Sequence, residues 1–301
     1  MVQVIQCVPN FSEGRRVTVV TQIVDAIRAA GAEVIDYSLD TDHNRSVVTF
    51  IGDPERIYSG VMAGAGKAAE LIDLRAHQGA HPRIGAMDVV PLVPVTGVTM
   101  DDCVRLSHRL GKAIADNLDI PVYLYEKSAS AEHRQNLANV RRGGFEGIAG
   151  TTLSKDREPD FGPHRAHPSA GATVIGARGP LIAFNVNLRS HDMALARRIA
   201  SNMRRTRDEG KGLPGVKAIA VELVSRKLVQ ISTNITEPDK ATMYDVFEFV
   251  RREAERCGTQ VLESELIGVV RSDAVARSAA SAMALADFGS ERILDNHLPS
   301  G

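Results

Sequence analysis

VVTFIGDPERIYSGVMAGAGKAAELI (Val47–Ile72) passes from strand to helix within a few residues, and its reading sets the pattern for the whole chain. Val47–Ile51 is apolar and β-branched, as a strand requires. Asp53-Pro54 then supplies a helix cap and a first-turn proline. Ile57, Val61, Ala65, Ala68 and Ile72 follow on one side of a helix. Within that helix GVMAGAGK (Gly60–Lys67) imitates a phosphate loop. That motif needs Gly six residues before the Lys and Ser or Thr after it, where this chain has Val61 and Ala68. The small residues instead predict a helix packed closely against a sheet.

Upstream, Val2–Val8 reads as a strand ending at Pro9-Asn10, with a turn at Ser12-Glu13-Gly14. Val20, Ile23, Val24 and Ile27 mark a helix stopped by Gly31. Ala32–Asp36 is the next strand, joined to Val47–Ile51 by a polar loop, Leu39–Arg45. Downstream, the loop His77–Gly85 leads to the apolar strand Met87–Val95. The order is β-α-β-β-α-β. Thr99 and Asp102 resemble a capping pair before a helix carrying Cys103, Leu106, Leu110 and Ile114. Pro121–Tyr125 is a further strand, and Lys127–Arg178 is irregular, as binding loops and interdomain connections are.

Periodicity returns with the strand Leu181–Leu188, then a helix marked by Met193, Ala196, Ile199, Ala200 and Met203. The charged Arg204–Gly212 reads as a surface loop. A hairpin follows, Val216–Val224 and Leu228–Thr233 around Ser225-Arg226. Met243, Val246, Phe247 and Val250 mark a helix, Gln260–Ile267 a strand and Ala274–Leu285 a helical tail. The same element order thus occurs twice without a repeat in sequence. It predicts an α+β fold of two ferredoxin-like (βαββαβ) subdomains, residues 1–178 and 179–301, with an active-site cleft between their sheets.

The 301 residues suffice for two domains. With 44 % hydrophobic and 24 % charged residues the composition is that of a globular protein. Lys+Arg 36 against Asp+Glu 37 leaves a net charge of -1, without the basic excess of a general nucleic-acid binder. Cys7, Cys103 and Cys257 are too scattered for a disulfide framework or zinc ribbon. No apolar run approaches a membrane span, and MVQVIQC is unlike a signal peptide. A cytoplasmic protein without membrane or nucleic-acid partners is expected.

The chemistry concentrates in loops. His77, His81, His164 and His167 lie among Gly, Pro and Arg, where binding residues gather. His77 and His81 have the i,i+4 spacing of a metal pair, but Gly79 and Pro82 argue against the helix it needs, so no metal is expected. His77, near the end of the preceding helix, has a capping role as its plainer reading. Arg45, Arg83, Arg165, Arg178 and Arg189 share such loops, and guanidinium forks bind carboxylates bidentately. From these residues alone the expectation is an enzyme acting on a small anionic substrate.

Seven ordered blocks carry the reading further: CVPNFSEGR (Cys7–Arg15), DHNRSVVTFIG (Asp42–Gly52), HPRIGAMDVVPLVP (His81–Pro94), PVYLYE (Pro121–Glu126), DFGP (Asp160–Pro163), GATVIGAR (Gly171–Arg178) and LIAFNVNL (Leu181–Leu188). Together they resemble the glutamate formiminotransferase family, which in animals is the front portion of formiminotransferase-cyclodeaminase. The resemblance spans nearly the whole chain, and with Gly301 as the last residue the cyclodeaminase portion is expected to be absent. It implies two ferredoxin-like subdomains, a homodimer, and transfer of the formimino group of N-formimino-L-glutamate to N5 of tetrahydrofolate in histidine degradation. Tetrahydrofolate is then a cosubstrate that leaves modified. N-formylglutamate or a formylated folate as donor, and a non-catalytic folate- or amino-acid-sensing module, are the alternatives.

By the same resemblance His81 is the catalytic acid–base, and the folate-contacting stretch is Gly162, Pro163, His164, Arg165, Ala166, His167, Pro168, Ser169, Ala170 and Gly171. Asn10, Asn44, Arg45, Arg83 and Arg178 are the candidates for binding substrate. Two positions depart from the animal enzymes. Ala170 replaces a tryptophan, and Ser38 replaces an acid two residues after Asp36, leaving Asp36, Asp40 and Asp42 as acids that could assist His81.

Overall fold

The computed structural model describes residues 2–79 and 82–297; His81 lies outside the described residues. The chain divides into two units, residues 1–179 and 180–301. The first contains β1 (Val4–Cys7), β2 (Asn10–Phe11), α1 (Val17–Ala29), β3 (Glu33–Asp40), β4 (Arg45–Gly52), α2 (Pro54–Leu71), β5 (Met87–Thr96), α3 (Met100–Leu118), β6 (Val122–Leu124), the single turn α4 (Leu137–Val140) and β7 (Thr173–Ala177).

These form one seven-stranded sheet. β1 and β2 each pair antiparallel with both β4 and β5, as two pieces of one strand interrupted at Val8-Pro9. β3 pairs with β4, while β5, β7 and β6 run parallel. The sheet therefore exceeds the four strands expected. Thr173–Ala177, placed in the irregular segment from sequence, is a central strand buried on both faces. Such a strand shows no alternation, so nothing in its pattern announces it.

Its side chains separate the two cores of this unit. Ile175 and Ala177 join the core containing the buried residues of α1, α2 and α3. Val174 joins a smaller cluster with Ile84, Val89, Tyr123, Tyr125, Ile148 and Leu153. The segment from 126 to 172 contributes Ile148, Leu153 and Ala166 to this second cluster, while its Phe145 and Ala170 join the helical core.

Local chemistry explains the helices. Asp53 accepts hydrogen bonds from the N–H groups of Glu55 and Arg56 at 3.0 and 2.9 Å, with Pro54 in the first turn. Gly60 and Gly64 are small because a Cβ would stand 2.9 Å from Ala32 Cβ and 3.2 Å from Ile27. Thr99 and Asp102 form a full capping box on α3. The β3–β4 connection is shorter than the loop expected over Leu39–Arg45, because β3 continues to Asp40 and β4 begins at Arg45.

The second unit contains β8 (Ile182–Leu188), α5 (Met193–Asp208), β9 (Val216–Leu223), β10 (Leu228–Ile235), α6 (Met243–Arg256), β11 (Val261–Ile267) and α7 (Ser272–Ala282). Its four-stranded antiparallel sheet has the order β11-β8-β10-β9. Phe184, Val186, Leu188, Val229 and Ile231 meet Ile199, Met203, Val246 and Val250 in one core. Arg204–Asp208, expected to lie in a loop, is the last turn of α5. Arg204 and Arg207 donate to the carbonyls of Ala218 and Val216 at 2.7 and 2.9 Å, which holds that turn on β9. The mixed α/β character and the division into two sheets agree with the sequence. Among the described residues no helix is long and apolar enough to cross a membrane.

Candidate active site

Three short segments converge at the end of β2. The first is the turn after β2, where Ser12 Oγ donates to the Gly85 carbonyl at 2.7 Å and Ser12 N–H to Ala86 at 2.9 Å. The second is the tight turn between β3 and β4. There Asn44 adopts φ 48° and is buried, a conformation Asn tolerates better than most residues. Asn44 Oδ1 accepts from Gly14 N–H at 2.9 Å, and its Nδ2 donates to the Gln78 carbonyl at 3.0 Å. The third comprises residues 72–79 and 82–86, held by these contacts and by the close approach of Gly79 to the His43 carbonyl, where a Cβ would collide.

On this frame the predicted substrate residues Asn10, Asn44, Arg45 and Arg83 come together. Arg45 Nη2 donates to Asn10 Oδ1, and Asn10 Nδ2 is anchored on the Val8 carbonyl at 2.9 Å. Arg83 Nε donates to His77 Nδ1 at 2.8 Å and its Nη2 to the His77 carbonyl at 3.1 Å. Its outer edge grips Glu146 through Nη1–Oε2 at 3.0 Å and Nη2–Oε1 at 2.8 Å. A cavity of about 10 Å³ lies among Asn44, Arg45, His77 and Arg83, walled also by Phe11, Ser12, His43 and Asp88.

Beneath them is a buried charge cluster that sequence reasoning missed. Asp88, on β5, accepts from Ile84 N–H at 2.8 Å and pairs with Arg141. Burial, and then the like charge of Arg141, hold the Arg45 guanidinium below its usual range, with Asp88 and Asp40 opposing. A lone acid in the apolar run MDVVPLVP was the available signal, since an unpaired buried carboxylate is too costly to keep. His77 does not cap a helix: α2 ends at Leu71, and the His77 ring reaches the Asn44 carbonyl at 2.8 Å through Nε2.

Arg178 follows directly on β7 and shares the neighbourhood of the buried Tyr125 with Arg141. Its N–H donates to the Leu92 carbonyl at 3.0 Å, its Nη1 to Gly179 at 2.9 Å, and its side chain meets the buried Tyr125. Arg165 is exposed and pairs with Asp119 at 3.1 Å, and His164 approaches Glu158 at 3.6 Å. The far end of the 162–171 stretch is tied to the site loop. His167 and Gly171 exchange backbone hydrogen bonds, Ser169 O accepts from Leu74 N–H at 2.9 Å, and Ala170 O accepts from Ala86 N–H at 2.9 Å. Ala166 and Ala170 are buried, whereas Gly162 and Pro168 are exposed and Pro163 is half-buried. Asp36 and Ser38 are half-buried on β3, as is Asp42 in the following turn. Burial works to raise the Asp40 carboxyl, but hydrogen bonds from the His43 ring (2.9 Å) and N–H (2.8 Å) hold it below the usual range.

Among the described residues no three His, Cys, Asp or Glu side chains gather as a metal site requires. What the cluster offers is guanidinium groups, a fixed imidazole and oriented carboxamides, the equipment for binding a small carboxylate.

Comparison with known proteins gives two family matches: residues 4–178 to the N-terminal subdomain of the formiminotransferase domain, and residues 183–286 to the formiminotransferase domain. The chain is 41 % identical over 300 residues to a glutamate formimidoyltransferase of Streptococcus pyogenes serotype M1, covering 99 % of each chain. It is 41 % identical over 297 residues to a glutamate formimidoyltransferase of Thermoplasma acidophilum, covering 98 % of this chain and 97 % of that one. It is also 41 % identical over 285 residues to a formimidoyltransferase-cyclodeaminase of Rattus norvegicus, covering 93 % of this chain and 52 % of the rat protein.

Proposed function

The chain belongs to the formiminotransferase family and is a transferase, and from that premise we propose that it moves the formimino group of N-formimino-L-glutamate to N5 of tetrahydrofolate. The products are 5-formiminotetrahydrofolate and L-glutamate, a step of histidine degradation. The end-to-end likeness to two glutamate formimidoyltransferases carries this reading. The gathering of Arg45, Arg83, Asn10 and Asn44 supports it, because donor and acceptor both carry glutamate carboxylates. Arg141 Nε, buried and without a partner among the described residues, is a further donor that such a carboxylate would satisfy.

The reaction requires a proton to leave the attacking N5 and another to reach the departing glutamate nitrogen. His81 is proposed for both transfers, since an imidazole titrates close to neutrality. The stretch 162–171 is proposed to contact the folate, with its 169–171 end braced against the loop that leads to His81 in sequence. A homodimer in the cytoplasm is the setting the family resemblance implies.

The test is an assay of purified protein with tetrahydrofolate and three donors in parallel: N-formimino-L-glutamate, N-formyl-L-glutamate and a formylated folate. Release of L-glutamate from the first donor, dependent on tetrahydrofolate, is expected. Transfer from another donor alone would reassign the substrate, and binding without turnover would make the protein a sensor.

A further inference from the structure

We propose that the carboxylate of Glu146 is a stand-in for substrate: it fills the Arg83 fork when the site is empty and yields it to a carboxylate of the incoming glutamate derivative. This deepens the functional reading above and rests on it. Arg83 is only 12 % exposed, while Glu146 is 66 % exposed. The inner side of the guanidinium is committed to His77 through two hydrogen bonds, so the edge facing Glu146 is the one a ligand can exchange.

The backbone around Glu146 is built to stay while the side chain leaves. Phe145 is buried, and its N–H donates to the Arg83 carbonyl at 2.9 Å. Gly143 and Gly144 precede it with φ of 85° and 63°, and a Cβ at Gly144 would stand 2.9 Å from Glu146 Oε2. Glycine there leaves the carboxylate its place on the fork.

Exchange of one glutamate-type carboxylate for another keeps Arg83 paired in both states, so no uncompensated charge is left in the site. The leaving pair is weak because one partner is largely in water. Glu146 therefore competes mildly with every anion that reaches the fork, organic or inorganic.

Calorimetric titration of L-glutamate and N-formimino-L-glutamate into wild type and Glu146→Gln, beside steady-state kinetics, tests this. Glutamine keeps the shape but not the charge. Kd for both glutamate ligands, and KM for N-formimino-L-glutamate, should fall about two- to five-fold, the range of an exposed ion pair, with kcat within about two-fold. Inhibition by chloride and sulfate should strengthen. An unchanged or raised Kd would overturn the proposal and leave Glu146 as a support for Arg83. Tighter L-glutamate binding in a protein that transfers no formimino group would retain the stand-in and reject the transferase reading. Absence of glutamate binding to either protein would reject both.

Discussion

The His77 ring is held between Arg83 and Asn44 in one tautomer. Nδ1 lies 2.8 Å from Arg83 Nε, which can only donate, and Nε2 lies 2.8 Å from the Asn44 carbonyl, which can only accept. The ring is thus neutral, with its proton on Nε2 and no nitrogen left to shuttle one. Burial lowers its pKa first, and the Arg83 charge adds to that, against the opposing Asn44 carbonyl.

A stability prediction follows from that sign. The folded chain takes up the His77 proton at lower pH than the unfolded chain, whose imidazole has a pKa near 6.5. The stabilisation is complete above about 6.5 and declines as pH falls through that value. Urea unfolding between pH 7.5 and 5 should show a shallower decline for His77→Gln than for wild type. Equal slopes would remove His77 as a contributor.

The two loop histidines should separate kinetically. His81→Ala should lower kcat by about 10²–10⁴-fold with folate affinity within a few-fold. His77→Ala should act mainly on the KM for the glutamate donor, because it releases Arg83 and Asn44 rather than a reacting proton. Near-normal turnover of a folded His81→Ala protein would reopen the choice of base.

Asp88 is expected to be a stability residue. It is 2 % exposed and pairs with Arg141 beside Arg45. Asp88→Asn leaves the buried Arg141 without its ion-pair partner, beside the like charge of Arg45, and should cost about 3–5 kcal/mol. Arg141→Met in the same chain should restore part of the loss. Equilibrium unfolding of the single and double variants measures both, and a single variant as stable as wild type would contradict the cluster's role.

Two glycines should respond oppositely to alanine. At Gly171, φ is 70° and a Cβ would collide with the Ile84 carbonyl, so Gly171→Ala should lose at least about 1–3 kcal/mol. Gly66 lies inside α2 with nothing within 4 Å of an added Cβ. Gly66→Ala should stabilise by about 0.5–1 kcal/mol. Thermal unfolding of both variants suffices as the check.

The candidate residues that the structure brings together are those whose chemistry is local in sequence. Asn10, Asn44, Arg45 and Arg83 stand in short motifs, and the structure joins them through Asn10–Arg45 and through the contacts of His77 with Asn44 and Arg83. Arg141 and Glu146 escaped because they lie more than 50 residues from their partners Asp88 and Arg83, in a segment without periodicity. Arg178, a candidate from its motif, follows β7 beside the buried Tyr125, which also feels Arg141.

By itself the sequence determined most of the helices, the Asp53 and Thr99 caps, most of the strands and the family, because each is written in short-range spacing or in ordered motifs. The Asp53 and Thr99 caps and the small-residue face of α2 need only neighbours within a few residues. Only the tertiary structure decided that Thr173–Ala177 enters between β5 and β6, that His77 is pinned as a neutral ring, and that Glu146 occupies Arg83. Those outcomes depend on backbone pairing and charge partners brought together from distant parts of the chain. Burial then makes the pairing obligatory, since a strand edge, an imidazole or a guanidinium withdrawn from water must find its hydrogen bonds inside the fold.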